Sequence, residues 1–261
     1  MKKYLVIGNP IEHSLSPKLH NHWFKKSNID ASYEKKKLNE DNIKEVISEI
    51  KNGKIDGINV TVPFKNSVIY FLDELTPVAN ITKSVNTIFK KGSKIIGDNT
   101  DVEGFRKSLK YFNYDVRNKT VFILGAGGVV PSIILALKEL SVSKILLSNR
   151  TEKKATDLKK IHSDLEILPW GQNTDFDMII NATSLGLKSS DEIELDFPKT
   201  IRNKFFYDVI YNPAKTNFLL KGEKLGNKIA NGKMMFIYQA QLAFKIWHNV
   251  LPKIDNNLLD E

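Results

Sequence analysis

The 261-residue sequence contains no cysteine. That excludes disulfides, thiolate nucleophiles and cysteine-ligated metal, and leaves the chain indifferent to the redox state of its compartment. No apolar run approaches the ~20 residues needed to span a bilayer, so no membrane partner is expected. The opening Met1-Lys2-Lys3-Tyr4-Leu5-Val6-Ile7-Gly8 pairs two lysines with an apolar stretch too short for an export signal, and Gly8-Asn9-Pro10 breaks it. The expectation is a first β-strand ending in a turn, in a cytoplasmic protein. Internal repeats and low-complexity segments are absent too. The five histidines (13, 20, 22, 162 and 248) form no cluster with paired acids, and His20 and His22 fall on opposite faces of a helix, so no metal is expected.

What the chain has in excess is positive charge, 39 Lys and Arg against 30 Asp and Glu, a net +9. The lysines come in scattered groups, Lys25-Lys26, Lys35-Lys36-Lys37, Lys90-Lys91, Lys153-Lys154 and Lys159-Lys160, without interleaved aromatics. They read as solvated faces and not as a nucleic-acid surface. A basic surface does attract small polyanionic ligands at long range.

Apolar runs alternate with amphipathic segments, which implies α/β architecture with mostly parallel sheets and helices on both faces. In the first part, Tyr4–Gly8 and Gly57–Val62 read as strands, Pro17–Lys26 as a helix with Ser16 as N-cap, and Asp41–Asn52 as a helix stopped by Gly53. A short helix from about Lys65 to Phe71 follows, then a hairpin of Val85–Phe89 and Lys94–Gly97, then a helix Val102–Phe112. In the second part, strands at Thr120–Leu124, Lys144–Ser148, Asp177–Asn181, Phe205–Asp208 and Lys228–Ala230 alternate with helices at Val129–Leu140, Glu152–Ile161 and Thr216–Leu225. A last long helix runs from about Met234 to Val250. The parse is two α/β domains, residues 1–101 and 102–235.

Gly125-Ala126-Gly127-Gly128 lies between a strand and a helix. Glycines there let the backbone turn tightly and approach a pyrophosphate whose charge then sits on the helix N-terminus. A plain structural turn is the rival reading. The third small position of the dinucleotide fingerprint holds Val130, followed by Pro131. At the end of the next strand stands Ser148-Asn149-Arg150-Thr151, with no acid until Glu152. A guanidinium beside small polar residues suits the 2′-phosphate of NADP, where an NAD site carries an acid; otherwise Arg150 is a surface cation.

Three polar segments end strands of the first part: Gly8–Pro17 with Ser14 and Ser16, Asn59–Lys65 with Thr61 and Lys65, and Asp98–Asp101. Ligands gather outside the carboxyl ends of strands in open α/β sheets. Hydroxyls, an amide, a lysine and a carboxylate match a polyhydroxylated, anionic small molecule. Taken singly, each has a duller reading as a helix cap or a solvated lysine.

The order Gly8-Asn9-Pro10-Ile11-x-His13-Ser14-x-Ser16-Pro17-x-x-His20-Asn21, Asn59-Val60-Thr61-x-Pro63-Phe64-Lys65, Ser84-Val85-Asn86-Thr87 and Gly97-x-Asn99-Thr100-Asp101-x-x-Gly104 closely resembles the shikimate dehydrogenase family. The resemblance continues through Gly125–Gly128, Asn149-Arg150-Thr151, Asn181-Ala182-Thr183-Ser184-x-Gly186, Asp208-x-x-Tyr211-x-Pro213, Asn231-Gly232-x-x-Met235 and Gln239-Ala240-x-x-Ala243-Phe244-x-x-Trp247. It implies an N-terminal substrate domain and a Rossmann-type NADP domain, with a C-terminal helix, 236–261, packing back on the first and carrying Gln239. It implies reversible NADPH-dependent reduction of 3-dehydroshikimate to shikimate, a step of aromatic amino-acid biosynthesis, by a monomer or homodimer.

Lys65 and Asp101 would be the catalytic pair, with Ser14, Ser16, Thr61, Asn86 and Gln239 holding the substrate's carboxylate and hydroxyls. Gly125, Ala126, Gly127, Gly128 and Val129 would meet the pyrophosphate, and Asn149, Arg150 and Thr151 the 2′-phosphate. Thr183, Tyr211 and Gly232 would line the nicotinamide end, with Ser184 and Met235 among the cofactor contacts and Tyr211 among the substrate contacts. Val129-Val130-Pro131 departs from the family's usual small residues and arginine. The rivals are a quinate-using dehydrogenase and a non-catalytic binding protein. The acid missing at Arg150 argues against an NAD-preferring quinate enzyme, and the intact Lys65 and Asp101 argue against the non-catalytic protein.

Overall fold

The apolar run Tyr4-Leu5-Val6-Ile7 builds β1 (Lys2–Gly8), a strand buried from Tyr4 onward. It takes parallel neighbours on both sides, β2 (Ala31–Lys37) and β3 (Gly57–Val60). The hairpin β5 (Thr87–Lys91) and β6 (Lys94–Asp98) joins β3 antiparallel, and a two-residue β4 (Glu74–Leu75) closes the far edge. The order is β2-β1-β3-β5-β6-β4. The computed structural model describes residues 1–195, 197–198, 201–255 and 259, and divides the chain into two units, Met1–Gly104 with Ile237–Glu261, and Phe105–Phe236.

On one face of the first sheet lies α2 (Ile43–Lys51), preceded by a 3₁₀ turn at Glu40–Asn42. Its Ile43, Val46, Ile47 and Ile50, spaced for one helical face, pack with Ile7, Ile58, Val60 and Ile88. Burying each such side chain contributes roughly 1.5–3 kcal/mol. On the other face, α1 (Ser16–Lys26) and α8 (Lys233–His248) supply an aromatic cluster of Trp23, Phe24, Phe244 and Trp247 around Tyr4, Tyr33 and His20. Gly57 is a close-approach glycine: a Cβ there would lie 2.4 Å from Trp247 Nε1, which itself donates to Ile88 O at 3.2 Å.

Four elements of the first unit and the sheet edges differ from expectation. Ser16 does not cap α1 with its side chain: it is the first helical residue, Leu15 is the N-cap, and Ser14 Oγ accepts from Ser16 N–H at 3.3 Å. Strand β2 carries Lys35-Lys36-Lys37, which reads as a solvated lysine run; as an edge strand it can hold charge, and Lys36 and Lys37 pair with Glu49 and Glu12. Asn21 ties this edge to α1 by donating to Tyr33 O and accepting from Tyr33 N–H, both at 2.9 Å. The short helix α3 (Pro77–Thr82), capped by Thr76, was also not foreseen. The expected helix 236–261 ends at His248: Asn249 adopts φ 54, and Gln241 Nε2 donates to Pro252 O at 2.7 Å, tying the following chain to the helix. Residues 256–258, 260 and 261 of that span lie outside the described ones.

The second sheet is wholly parallel, β7 (Thr120–Leu124), β8 (Lys144–Ser148), β9 (Glu166–Leu168), β10 (Met178–Asn181), β11 (Phe205–Asp208) and β12 (Lys228–Ala230), in the order β12-β11-β10-β7-β8-β9. Helices α5 (Val130–Glu139), α6 (Glu152–Ile161) and α7 (Asn217–Lys224) connect them. The chain reverses direction of build between β7 and β10, the switch point at which such sheets bind ligands. The unit boundaries fall inside α4 (Asp101–Tyr111) and α8.

Among the described residues, neither ring nitrogen of His20 has a hydrogen-bond partner, and burial, aided by His248, holds its pKa down at about 3. His20 lies between Trp23, Phe24, Tyr33, Phe244 and Trp247, with His248, itself lowered to about 4 by burial, as the titratable neighbour. A folded-state pKa below the unfolded value means that the unfolded chain takes up the proton first as pH falls. The associated stability is therefore present above about pH 6.5 and lost on acidification toward 3. His20→Phe is expected to flatten the fall in stability between pH 6.5 and 4 by up to roughly 1.4 kcal/mol per pH unit. Denaturant melts of both proteins across that window measure the slope, and parallel slopes would refute the assignment.

Candidate active site

The carboxyl ends of β1 and β3 lie side by side, with the start of β5 and the end of β6 next to them in register. Polar segments follow each of them, so the topology gathers these segments at one sheet edge. After β3, the backbone turns through Thr61–Phe64, and Lys65 O accepts from Val85 N–H at 2.8 Å, fixing the lysine beside the start of β5. After β6, Asn99 Oδ1 accepts from the N–H groups of Asp101 and Val102 at 3.0 and 3.3 Å. Asn99 is thus the residue that caps α4. Asp101 stands in the first helical turn with its carboxylate released from capping duty.

That carboxylate meets two partners. Lys65 Nζ donates to Asp101 Oδ2 at 2.5 Å, and Asn86 Nδ2 donates to Asp101 Oδ1 at 2.9 Å. The lysine and aspartate side chains are only 10% and 6% exposed. A buried pair of this kind is a poor device for stability, because desolvation offsets most of the attraction. Its value lies in presenting an ammonium group in a fixed direction. Asn86 Nδ2 also reaches Gln239 Oε1 at 3.2 Å, which brings the amide of α8 to the same point. Lys65, Asp101, Asn86 and Gln239 therefore form one connected group.

Ser14 and Ser16 come together separately, with Ser14 Oγ donating to Ser16 Oγ at 3.2 Å. Both belong to the turn after β1. Thr61 is half-buried at the end of β3, and a Cβ on Gly8 would lie 2.5 Å from its Cγ2, so the glycine is what lets this turn lie against it.

In the second unit, Gly125 adopts φ +106, and a Cβ there would meet Ala182 O at 2.8 Å. It is glycine on both conformational and steric grounds. A Cβ added at Gly127 would meet nothing nearer than Ala182 O at 3.9 Å, so nothing among the described residues demands its missing side chain. Helix α5 begins at Val130 with Val129 as N-cap and no side-chain cap. An open glycine turn leading to an uncapped helix start fits a dinucleotide pyrophosphate. Val130, large for its place in the fingerprint, is completely buried at the start of α5.

Arg150 and Thr151 are exposed at the end of β8, and Asn149 Nδ2 bonds Thr151 O at 2.7 Å, closing the turn that presents them. Thr183 is organised by Asn181, whose Oδ1 accepts from Thr183 N–H and Oγ1 at 3.0 and 2.7 Å; Ser184 beyond it is exposed. Gly232 N–H donates to Ile210 O at 3.1 Å. Tyr211 stacks on Phe236 at 4.5 Å, and Met235 is buried, 4% exposed.

Sequence reasoning quoted the residues that hold these turns in place but gave them no role. Asp208 accepts from Ile210 N–H, Thr216 Oγ1 and Asn181 Nδ2, and burial pushes its pKa up to about 6 although these bonds pull the other way. Asn181 and Asp208 are polar residues that end apolar strands, and Asn99 belongs to the polar run Asp98–Asp101 that follows one, which is the signal that marks them.

A sequence profile described as the shikimate dehydrogenase substrate binding domain matches residues 6–88. The shikimate dehydrogenase (NADP(+)) of Pelagibacter ubique is 59% identical over 262 residues, covering 99% of both chains. A shikimate dehydrogenase solved in complex with NADP+ superposes with a TM-score of 0.92 at 33% identity, over 100% of this chain and 95% of that one. The Thermus thermophilus enzyme, solved with NADP(H) and shikimate, gives 0.87 at 29% identity over 97% and 95%.

Proposed function

Because this chain belongs to the shikimate dehydrogenase family, we propose that Lys65 and Asp101 carry its reaction. The reaction is the reversible NADPH-dependent reduction of 3-dehydroshikimate to shikimate. The observation that supports this reading is the buried Lys65–Asp101 pair, held in one group with the amides of Asn86 and Gln239.

NADPH, when held by the residues named below, would supply the hydride for the ketone carbon of the substrate. As the carbonyl oxygen gains negative charge, the Lys65 ammonium stabilises it and donates a proton, leaving a hydroxyl. Asp101 orients Lys65 and balances the ammonium charge up to that transfer, after which the neutral amine regains a proton from solvent for the next turnover. Ser14, Ser16, Thr61, Asn86 and Gln239 hold the substrate's carboxylate and remaining hydroxyls, with Tyr211 completing the substrate contacts. Gly125, Ala126, Gly127, Gly128 and Val129 receive the pyrophosphate, and Asn149, Arg150 and Thr151 the 2′-phosphate. Thr183, Ser184, Gly232 and Met235 serve the nicotinamide end. The protein works in the cytoplasm as a monomer or homodimer, without nucleic-acid or membrane partners; among the described residues, no helix is long and apolar enough to cross a membrane.

Mixing the protein with 3-dehydroshikimate and following reduced-cofactor absorbance tests the reading. Rapid oxidation of NADPH with little use of NADH is the expected result. No oxidation of either would overturn it. In the same assay Arg150→Ala should raise the KM for NADPH by roughly 10–100-fold, the worth of a charge-assisted phosphate contact, with NADH use unchanged. An unchanged NADPH KM would remove Arg150 from the 2′-phosphate site.

A further inference from the structure

A line of buried polar side chains runs back from Asp101 into the first sheet. Asn59 on β3 pairs directly with Thr87 on β5. Every position of β3 is buried, so an amide there is costly unless its hydrogen bonds are made. Tyr33 OH donates to Asn59 Oδ1 at 2.7 Å. Asn59 Nδ2 donates to Asn86 O at 3.0 Å and to Thr87 Oγ1 at 3.1 Å. Thr87 Oγ1 donates to Asn86 Oδ1 at 3.0 Å, and Asn86 Nδ2 to Asp101 Oδ1 at 2.9 Å.

The direction of this line is set by partners that have no choice. Thr100 N–H can only donate, and at 2.8 Å it fixes Asn86 Oδ1. The Asp101 carboxylate, paired with Lys65, only accepts, so it faces Asn86 Nδ2. The main-chain carbonyl of Asn86 only accepts, so it faces Asn59 Nδ2 and leaves Asn59 Oδ1 to Tyr33. Thr87, which receives from Asn59, has its single proton left for Asn86. Each donor in turn points toward Asp101. An apolar pair at positions 59 and 87 would fill the sheet without the desolvation cost, so packing does not account for the line.

We propose that Asn59 and Thr87 are positioning residues for the reduction. With the Thr100 N–H, they hold the Asn86 amide in the orientation that delivers an N–H to Asp101, and so fix the carboxylate that aims Lys65. The inference rests on Lys65 and Asp101 being the catalytic pair. Thr87→Val keeps the shape and removes the proton given to Asn86; kcat should fall roughly tenfold with the KM for NADPH unchanged, while Thr87→Ser stays within about threefold of wild type.

Tyr33→Phe, at the far end of the line, should lower kcat by about threefold. In an Asp101→Asn background, where no carboxylate is left to orient, Thr87→Val should cost almost nothing further, a non-additivity that general damage to the fold does not produce. Wild-type kcat in both Thr87→Val and Tyr33→Phe, or an equal cost of Thr87→Val in the two backgrounds, overturns the proposal. Wild-type turnover in Lys65→Ala would instead remove the reading beneath it.

Discussion

Turnover of 3-dehydroshikimate by the Lys65→Ala variant is expected to fall by roughly 10²–10⁴-fold, the usual worth of a positioned proton donor. The KM for NADPH should change little, because the lysine belongs to the first unit and the dinucleotide turn to the second. The substitution also strands a buried carboxylate. Breaking a buried pair from one side costs about 3–5 kcal/mol in general, and Asp101 keeps only the Asn86 N–H as a charge-stabilising contact of those described above. A thermal melt must therefore accompany the kinetics. A folded variant with collapsed kcat carries the assignment, and a folded variant with normal kcat refutes it.

The second large effect concerns Gly232. A Cβ at this position would lie 2.0 Å from Val209 O and 2.6 Å from Val209 C, inside the main chain itself. No flexible side-chain tip is available to move aside, so the backbone from Val209 to Tyr211 must shift. Gly232→Ala is expected to destabilise the second unit by several kcal/mol and to raise the KM for NADPH by about 100-fold or more where it folds. Gly127→Ala is the informative contrast. Among the described residues its Cβ meets nothing closer than 3.9 Å, so the melting temperature should hold while NADPH binding weakens if that space receives the pyrophosphate as proposed. Equal melting temperatures for Gly232→Ala and wild type would contradict the steric argument.

The second unit was the more legible from sequence. Thr120–Leu124, Lys144–Ser148, Glu152–Ile161, Phe205–Asp208 and Lys228–Ala230 occur with the expected boundaries, because buried parallel strands are short apolar runs between clear breaks. The first unit hid more. Strand β2 exposes lysines on a sheet edge and lacks an apolar run, while β4 has only two residues. Ser16 met the composition rule for a cap, yet the cap of α1 fell one residue earlier, since helix ends are decided by local geometry as well as residue type.

At the site, Lys65, Asn86, Asp101 and Gln239 are far apart in sequence, and their meeting is a product of topology; the strand-end rule brought Lys65 and Asp101 together, while Asn86 and Gln239 were added by the resemblance alone. Asn59 and Thr87, though within the matching motifs, carried no role for another reason. A polar residue in a strand signals nothing until its partners are known.

The first unit is made from the two ends of the chain. During translation, residues 1–104 leave the ribosome with Tyr4, His20, Phe24 and Tyr33 facing a gap, since Phe244, Trp247 and His248 are still to be made. The second unit, an unbroken stretch, has all its strands before that gap can be filled. A nascent chain that folds its units as they emerge would thus complete its middle before its beginning. The notch at Gly57 waits for Trp247, and the bond from Asn86 to Gln239 is among the last to close. A chain cut short before α8 would carry Lys65, Asp101 and a whole dinucleotide sheet, and still lack a finished site.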